Sequence, residues 1–284
     1  MKFEDYSYTL SDLSDRSKKI IKPIEDLSEK IKVLKTILGI IDLTTLSGND
    51  TNEKVKNLSK QAIDFENSEI GTPKNAAVCV YPVFAGIVSN TLRGTGINTA
   101  CVAGAFPSGQ SPLEIRKLEV KYAIENGADE IDMVISRGKM IEGNIDYVYR
   151  EVREIKDTCR DKHLKVILET GELEKVDLIR KASEISILAG GDFLKTSTGK
   201  VSPAATPEAF LIMLDSIKEY FEKTGKKIGI KPAGGISTPD DAIAYYQLTK
   251  AVLGDQWLNK DLFRIGASRL ATNIYNEIIV LTTV

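Results

Sequence analysis

Short apolar runs alternate with longer amphipathic segments along most of the chain, and each run is typical of a buried strand. The predicted strands cover residues 37–43, 75–81, 97–104, 129–135, 164–170, 192–197, 227–233 and 262–268. An amphipathic segment that predicts a helix follows each strand. Gly127 is the expected end of the helix after strand 3, and Thr206 with Pro207 is the expected start of the helix after strand 6.

This alternation predicts an α/β fold built from eight strand–helix units. Strands that read as continuous apolar runs are typical of a parallel sheet covered by helices. Eight such units in ~250 residues fit a closed (β/α)8 TIM barrel. An open doubly wound sheet is the alternative, but no G-x-G-x-x-G turn follows an early strand.

The first 34 residues precede the first predicted strand and have a helical pattern that is interrupted at Pro23. We interpret residues 1–34 as an N-terminal helical extension that packs on the barrel. Residues 35–284 are predicted to form the (β/α)8 barrel domain, which would carry any catalytic site.

The bulk composition excludes several kinds of partner. With 284 residues, 42% of them apolar and 27% charged, the chain is an ordinary globular protein. A net charge of −2 gives no reason to expect nucleic acid or an anionic membrane as a partner. The apolar runs are far shorter than the roughly 18 residues of a membrane span, and the N-terminus lacks a signal-peptide pattern. Three scattered cysteines favour a reducing compartment, so we predict a cytoplasmic location.

The chain has one histidine, His163, in a charged turn ahead of strand 5, where we expect it on the surface. A Ser-His-Asp triad and a histidine-based metal site both need a positioned imidazole. No cysteine pair has zinc-ligand spacing either. We therefore predict no metal site, and acid–base chemistry would depend on Lys, Asp, Glu, Tyr or Cys.

Candidate chemistry gathers at the C-terminal ends of the predicted strands, where barrels of this kind carry their active sites. The polar residues there are Asp42, Cys79, Asp132, Lys195 and Lys231. Each also has a structural explanation. A strand-end lysine can extend to solvent, Asp42 can belong to a turn, Asp132 can face outward, and Cys79 can be a small buried apolar residue.

The two lysines are the most informative pair. Lys195 and Lys231 fall on consecutive predicted strands, and adjacent strands lie about 4.8 Å apart. Each cation disfavours protonation of the other, and burial acts in the same direction. We therefore predict one lysine with a lowered pKa, whose neutral amine can attack a carbonyl and form a Schiff base.

Small residues follow strands 6, 7 and 8, in the segments "TSTGK", "KPAGGIST" and "GAS". Glycine allows close approach of the backbone, and free N–H groups at helix starts bind anions. Barrels commonly bind phosphate through the loops after strands 7 and 8. Each glycine alone can be a turn residue, but together they predict a phosphate site. The residues concerned are Gly199, Gly234, Gly235, Gly266 and Ser268.

Taken together, these motifs resemble the deoxyribose-phosphate aldolases over nearly nine-tenths of the chain, from Leu38 to the final helix. The most specific pair is "DFLKTSTGK" with "KPAGG"; the others are "IIDLTTL", "AAVCVYP", "GADEIDMVI", "LKVILETGEL" and "LFRIGAS". The resemblance implies a class I aldolase that uses no metal or other cofactor. Its expected reaction is the reversible cleavage of 2-deoxy-D-ribose 5-phosphate to D-glyceraldehyde 3-phosphate and acetaldehyde, in deoxyribonucleoside catabolism. The expected partners are a phosphosugar, an aldehyde and, as a homodimer or higher homo-oligomer, copies of the chain.

The resemblance also implies roles for individual residues. Lys195 matches the Schiff-base lysine, and Lys231 matches the lysine that lowers its pKa and shares in proton transfer. Asp132 matches the carboxylate that works a proton relay with water. Asp42 matches an aspartate that positions the second lysine, and Cys79 a cysteine lining the site. The positions that match phosphate-binding residues are Thr198, Gly199, Lys200, Gly235 and Ser268.

Two departures from the family pattern affect these expectations. Arg269 stands where some members have a second serine after "GAS". Some members also end in a tail whose terminal tyrosine assists proton transfer, whereas this chain ends in "IIVLTTV", and Tyr275 lies inside the last predicted helix.

Two alternatives remain open at the level of the sequence. Another Schiff-base aldolase acting on keto-acid phosphates would need a carboxylate-binding arginine near the lysine, and the sequence offers no strong candidate. A phosphosugar-binding barrel without catalysis would keep the glycine loops and lose the lysine pair, whereas both lysines are present here.

Overall fold

Eight parallel strands form the centre of the fold. The structure is a computed structural model and describes residues 1–283. Neighbouring strands pair in the order β7-β6-β5-β4-β3-β2-β1-β8. The strands are β1 (Ile41–Thr44), β2 (Ala77–Val80), β3 (Asn98–Ala103), β4 (Glu130–Val134), β5 (His163–Ile167), β6 (Phe193–Lys195), β7 (Gly229–Lys231) and β8 (Ile265–Ala267).

The sheet closes between its first and last strands in this order. Parallel bridges join Ile230 to Phe263 and Ala233 to Gly266. The Ile230 N–H donates to the Leu262 carbonyl over 2.9 Å, and the Gly266 N–H donates to the Pro232 carbonyl over 3.0 Å. The predicted (β/α)8 TIM barrel is therefore confirmed.

Helices alternate with the strands and cover the outside of the barrel. They are α1 (Leu10–Ile20), α2 (Leu27–Gly39), α3 (Asn52–Asp64), α4 (Ala85–Leu92), α5 (Leu113–Glu125), α6 (Arg137–Ile141), α7 (Ile145–Cys159), α8 (Thr170–Leu173), α9 (Val176–Leu188), α10 (Pro207–Thr224), α11 (Pro239–Leu253) and α12 (Leu270–Thr282). None of the helices within residues 1–283 is long and apolar enough to cross a membrane.

The predicted helix signals lie where the sequence indicates. Thr206 caps α10 by accepting a hydrogen bond from the Ala209 N–H, and Pro207 occupies the first helical position. Gly127 follows α5 with a φ of 97°, a left-handed conformation that favours glycine.

The first strand was predicted wrongly at its start. Ile37, Leu38 and Gly39 belong to α2, and the strand begins at Ile41. Ile37 and Leu38 continue the buried face that Val33 and Leu34 begin one turn earlier. An apolar run of this length fits a helix as well as a strand, and the helical spacing with Val33 and Leu34 prevails here.

Several other strands are shorter than predicted. The sixth, seventh and eighth strands have three residues each, and β5 ends at Ile167, so residues 168–170 lie beyond it. His163 is the first residue of β5 and not part of the preceding turn, although its side chain is exposed as expected.

The N-terminal helices pack on the outside of the barrel. The Arg16 guanidinium binds both carboxylate oxygens of Asp215 on α10, at 2.7 and 2.9 Å, and the Tyr6 hydroxyl donates to the same carboxylate. Next along the chain, α2 packs against α11 and α12. The boundary between residues 34 and 35 stays a prediction, and α2 runs across it.

Candidate active site

Part of the barrel interior is filled by buried ionisable side chains, each at most 3% exposed. We call this set the charge cluster. Alternate residues of a strand face the same side, so Glu130 and Asp132 both point inward from β4. The members of the charge cluster are Asp42, Glu130, Asp132, Lys165, Lys195, Lys231 and Arg264.

Lys195 and Lys231 are direct register partners on neighbouring strands, as the sequence predicts. Both ammonium nitrogens lie 2.7 Å from the same oxygen, Oδ2 of Asp132. Asp132 therefore joins the two lysines from β4, two strands away from β6.

Lys231 has a second carboxylate partner, Asp42 Oδ2, at 2.5 Å. Its aliphatic stem passes beside Gly266 on β8. A Cβ at position 266 would lie 3.0 Å from Lys231 Cε and 3.0 Å from the Ala233 Cβ. The glycine thus leaves room for the buried lysine.

Burial lowers the pKa of Lys195 below the ordinary value of a lysine, and repulsion from Lys231 acts in the same direction. The attraction of Asp132 opposes these two effects without cancelling them. Lys195 is therefore the lysine of the charge cluster that most readily supplies a neutral amine.

Lys231 and Lys165 behave in the opposite way. Burial alone would lower the pKa of each, but the surrounding carboxylates, first among them Asp132, raise it above the ordinary value. Both ammonium groups therefore stay charged near neutral pH.

The carboxylates of the charge cluster stay ionised. Burial alone would raise the pKa of Asp132, but Lys165, Lys195 and Lys231 hold it well below its usual range. Lys231, Lys165 and Arg264 do the same for Asp42. The Cys79 thiol lies 3.9 Å from Asp132 Oδ2, and burial raises its pKa, so the sulfur stays protonated.

Sequence reasoning missed three members of the charge cluster: Glu130, Lys165 and Arg264. Lys165 contacts Glu130 and lies 3.0 Å from Asp132 Oδ1. Arg264 donates to Asp42 at 2.7 Å and to Glu130 at 2.8 and 3.2 Å. A usable signal existed, because all three are charged residues inside otherwise apolar runs, and Glu130 is in phase with Asp132.

A cavity of about 1180 Å³ opens above Lys195 at the C-terminal ends of the strands. Every residue predicted to bind phosphate lines it, whereas Asp42, Cys79, Asp132 and Lys231 lie beneath its floor. The lining includes Thr198, Gly199, Lys200, Gly234, Gly235, Gly266, Ser268 and Arg269.

The loops after β6 and β7 meet at two glycines. Gly199 and Gly234 have φ angles of 77° and 84°. A Cβ at position 234 would lie 2.6 Å from the Ala204 Cβ and 3.1 Å from Gly199 Cα. Glycine is required here both for the left-handed backbone and for the close approach of the loops.

Glu169, a residue the sequence analysis did not select, anchors the loop that carries Thr198. Its buried carboxylate accepts hydrogen bonds from the Thr198 N–H, over 3.1 Å, and from the Thr198 hydroxyl. Arg137 lies 3.3 Å from the same carboxylate. Glu169 has a φ of 56°, an uncommon conformation for a residue with a side chain.

Lys200 and Tyr275, two residues that the sequence analysis singled out, each have a defined contact. The Lys200 ammonium donates to the Leu46 carbonyl over 2.5 Å, joining the loops after β6 and β1. Tyr275 lies in α12, as predicted, and its ring packs against Phe65 at a centroid distance of 5.5 Å.

Carboxylates that could bind a metal are already paired with cations. Asp42, Glu130 and Asp132 each contact at least two basic side chains of the charge cluster. In the part of the chain that the structure describes, no three His, Cys, Asp or Glu side chains are grouped to hold a metal ion.

Known proteins match this chain along most of its length. The model of the DeoC/LacD family of aldolases matches residues 36–253. The human deoxyribose-phosphate aldolase is 43% identical over 251 residues, which cover 84% of this chain and 78% of the human protein. The bovine enzyme is 40% identical over 270 residues, covering 90% of this chain and 84% of the bovine protein.

A solved structure agrees with the sequence comparison. The deoxyribose phosphate aldolase of Aeropyrum pernix superposes with a TM-score of 0.70 at 26% identity, covering 92% of this chain and all of that one. The family match over most of the sequence, the relatives at 40% identity or more and the shared barrel lead to one conclusion: this chain belongs to the DeoC/LacD family of aldolases.

Proposed function

We propose that this chain is a deoxyribose-phosphate aldolase. It reversibly cleaves 2-deoxy-D-ribose 5-phosphate to D-glyceraldehyde 3-phosphate and acetaldehyde through a Schiff base on Lys195, a reaction of deoxyribonucleoside catabolism. The observation that carries the proposal is the position of Lys195. Its amine forms the floor of the cavity and shares one carboxylate oxygen with the charged Lys231.

The reaction begins when the neutral Lys195 amine attacks the aldehyde carbon, C1, of the open-chain sugar. The carbinolamine loses water and becomes an iminium ion, which draws electrons from C2. Lys231, held charged by Asp42 and Asp132, is the proton donor for the departing hydroxyl.

Cleavage follows from deprotonation of the C3 hydroxyl. Its electrons form the carbonyl of glyceraldehyde 3-phosphate, the C2–C3 bond breaks, and the bonding pair passes through C2 to the iminium nitrogen. Asp132, acting through a water molecule, accepts the proton. Protonation of C2 in the resulting enamine, followed by hydrolysis, releases acetaldehyde and restores the amine.

The phosphate end of the sugar lies on the loops after β6, β7 and β8. Backbone N–H groups at the left-handed glycines of the loops after β6 and β7 provide donors that need no side chain. Lys200 and Arg269 add positive charge at the cavity. The side chains and glycines in this role are Thr198, Gly199, Lys200, Gly234, Gly235, Gly266 and Ser268.

Arg264 does not provide the carboxylate-binding arginine that an aldolase of keto-acid phosphates would need. Arg264 is the arginine of the charge cluster, but it lies below the lysines, is 1% exposed and is bound by Asp42 and Glu130. A substrate carboxylate entering from the cavity would not reach an unoccupied guanidinium there.

The test is conversion of 2-deoxy-D-ribose 5-phosphate, with glyceraldehyde 3-phosphate and acetaldehyde measured as separate products. We expect equal amounts of both, and the same activity after treatment with a chelator. Lys226→Leu, a change at an exposed lysine near β7, is the matched control for lysine substitutions. A protein that binds the sugar phosphate but releases neither product would be a non-catalytic barrel. Loss of activity on chelation, restored by a divalent ion, would indicate a metal-dependent aldolase.

The oligomeric state is a separate proposal. The Aeropyrum pernix aldolase is tetrameric, and we propose that this chain also forms a homo-oligomer. Light scattering on the purified chain tests this, and a mass equal to one chain would contradict it.

A further inference from the structure

The charge cluster contains more basic than acidic groups. Four cations, Lys165, Lys195, Lys231 and Arg264, face three carboxylates, Asp42, Glu130 and Asp132. An unbalanced charge in a buried site is costly. A guanidinium does not lose its proton in a protein, so a neutral form of one of the lysines is what would balance the charges.

The carboxylates are shared unequally among the lysines. Lys165 lies within 3.5 Å of Asp42 and also contacts Glu130 and Asp132. Lys231 contacts Asp42 and Asp132. Lys195 contacts Asp132 alone, through an oxygen that also binds Lys231. Lys195 is thus the least compensated of the three.

Glu130 and Arg264 lie at the bottom of this arrangement. Arg264 NH2 donates to Glu130 Oε1 over 2.8 Å, and Asn98 donates to the same oxygen over 2.7 Å. Beneath them the Phe193 ring, 1% exposed, lies 5.9 Å from both Lys165 Nζ and Arg264 Cζ. A Cβ at Gly229 would lie 2.3 Å from that ring, so the glycine makes room for it. The pair touches neither the cavity nor solvent.

We propose that Glu130 and Arg264 are positioning residues that set the charge balance of the barrel floor and thereby the protonation of Lys195. Arg264 supplies a cation that cannot be lost and so disfavours a charge on Lys195, whereas Glu130 offsets part of that positive charge. This inference rests on the proposed Schiff-base function of Lys195. Neither residue reaches the substrate, so their effect passes through Asp42, Asp132 and Lys165.

Several other groups face Lys195 and contribute to its environment. Asp132 approaches it from β4, Lys231 from β7 and Cys79 from β2. Asp42 and Lys165 lie behind these on β1 and β5, and Arg264 lies behind them directly before β8. The charged residues of the cavity lining are Glu53, Lys54, Lys200 and Arg269. None of these groups changes in the experiment below, apart from Arg264.

The experiment measures the rate at which borohydride with acetaldehyde traps an ethyl group on Lys195 as a function of pH. Imine formation needs the free amine, so the rate falls on the acid side as Lys195 becomes protonated. Arg264→Met removes a buried cation and should move this acid limb to higher pH. Glu130→Gln removes a carboxylate with almost no change of shape and should move the limb to lower pH. Each shift should be on the order of one pH unit.

Two further variants separate charge from shape. Arg264→Lys keeps the buried cation but loses the bidentate contact with Glu130. The acid limb of the rate profile should therefore stay near that of the wild-type chain. The double variant E130Q/R264M removes one charge of each sign and should return the limb towards the wild-type position. A merely structural role would lower the rate at every pH without moving the limb.

The outcomes are distinct. Opposite shifts in the two single variants support the proposal, and shifts in the same direction or no shift would overturn it. The direction in which the acid limb moves in either single variant tests the proposal by itself. If one variant does not fold, the shift in the other variant is the test. Absence of an adduct on Lys195 in the wild-type chain would instead overturn the proposed function.

Discussion

The barrel interior has two unlike halves. On β1, on β4 to β7 and at the residue before β8 it holds the charge cluster, whose members contact one another through ion pairs. On β2 and β3 it holds small, fully buried side chains that form an apolar cluster with Val134 and Ile167. The inward apolar residues of these two strands are Ala77, Cys79, Ala100 and Val102.

The comparison shows two ways of filling the same barrel. In the apolar half each side chain stabilises the fold through its own buried area. Truncating one of them therefore affects only its immediate neighbours. In the charged half every group depends on the others, because removing one leaves its partners buried and uncompensated. Cys79 marks the border, since it packs in the apolar half and lies 3.9 Å from Asp132.

The largest effect is expected for Lys195→Leu. The charged half then lacks its nucleophile, and no change of pH can replace it. We expect cleavage activity to fall by about 10⁴-fold or more at every accessible pH, while binding of the sugar phosphate persists. Residual turnover that rises with pH would show that another amine performs the attack.

The next largest effect is expected for Lys165→Met, a change of similar side-chain length. It leaves Glu130 and Asp132 each without one buried cation. Breaking a buried ion pair in this way costs about 3–5 kcal/mol. Urea unfolding monitored by circular dichroism measures the loss, and a free energy of unfolding within ~1 kcal/mol of wild type would mean that the cluster is not mutually dependent.

A smaller, pH-dependent effect is expected for Lys231→Leu. Removing this cation raises the pKa of Lys195, so the fraction of free amine near neutral pH falls by roughly tenfold for each unit of the rise. Raising the pH restores the amine but not the proton donor, so activity recovers in part. A profile with the wild-type shape, lower throughout, would assign Lys231 to proton transfer alone. Lys226→Leu is the exposed control.

The smallest effect is expected in the apolar half. Val102→Ala deletes two buried methyl groups and should lower the free energy of unfolding by about 1–2 kcal/mol, with kcat changed less than ~2-fold. Urea unfolding and steady-state kinetics on the same preparation measure both. A loss of kcat comparable to that of Lys231→Leu would show that the two halves do not act separately.

The sequence predicts some residues of the charged half and not others. Lys195 and Lys231 could be predicted because they end strands that are otherwise apolar, Asp132 because it lies within a predicted strand, and the glycine loops because three of them follow consecutive strands. Glu130 is in phase with Asp132, but it directly follows Asp129, and a charge at that position fits an outward site equally well. Lys165 in β5 and Arg264 just before β8 interrupt apolar runs, but whether they face inward depends on the barrel register, which only the assembled sheet reveals.

The start of the first strand could not be predicted from the local sequence pattern. The run "ILGIID" satisfies both helical and strand patterns, and what decides for the helix is packing of Ile37 and Leu38 beside Val33 and Leu34. Such a choice depends on tertiary contacts. By contrast, the caps of α10 are local: Thr206 marks its start as expected, and Gly225 ends it in a left-handed conformation.

The most direct test of the central claim is to map where acetaldehyde is trapped. The wild-type chain is treated with acetaldehyde and borohydride near neutral pH, digested, and its peptides analysed by mass spectrometry. We predict an ethyl group on Lys195, with Lys165 and Lys231 unmodified, because both remain charged and paired with carboxylates. An adduct mainly on Lys231 or Lys165, or none in protein that cleaves the sugar phosphate, would contradict the account.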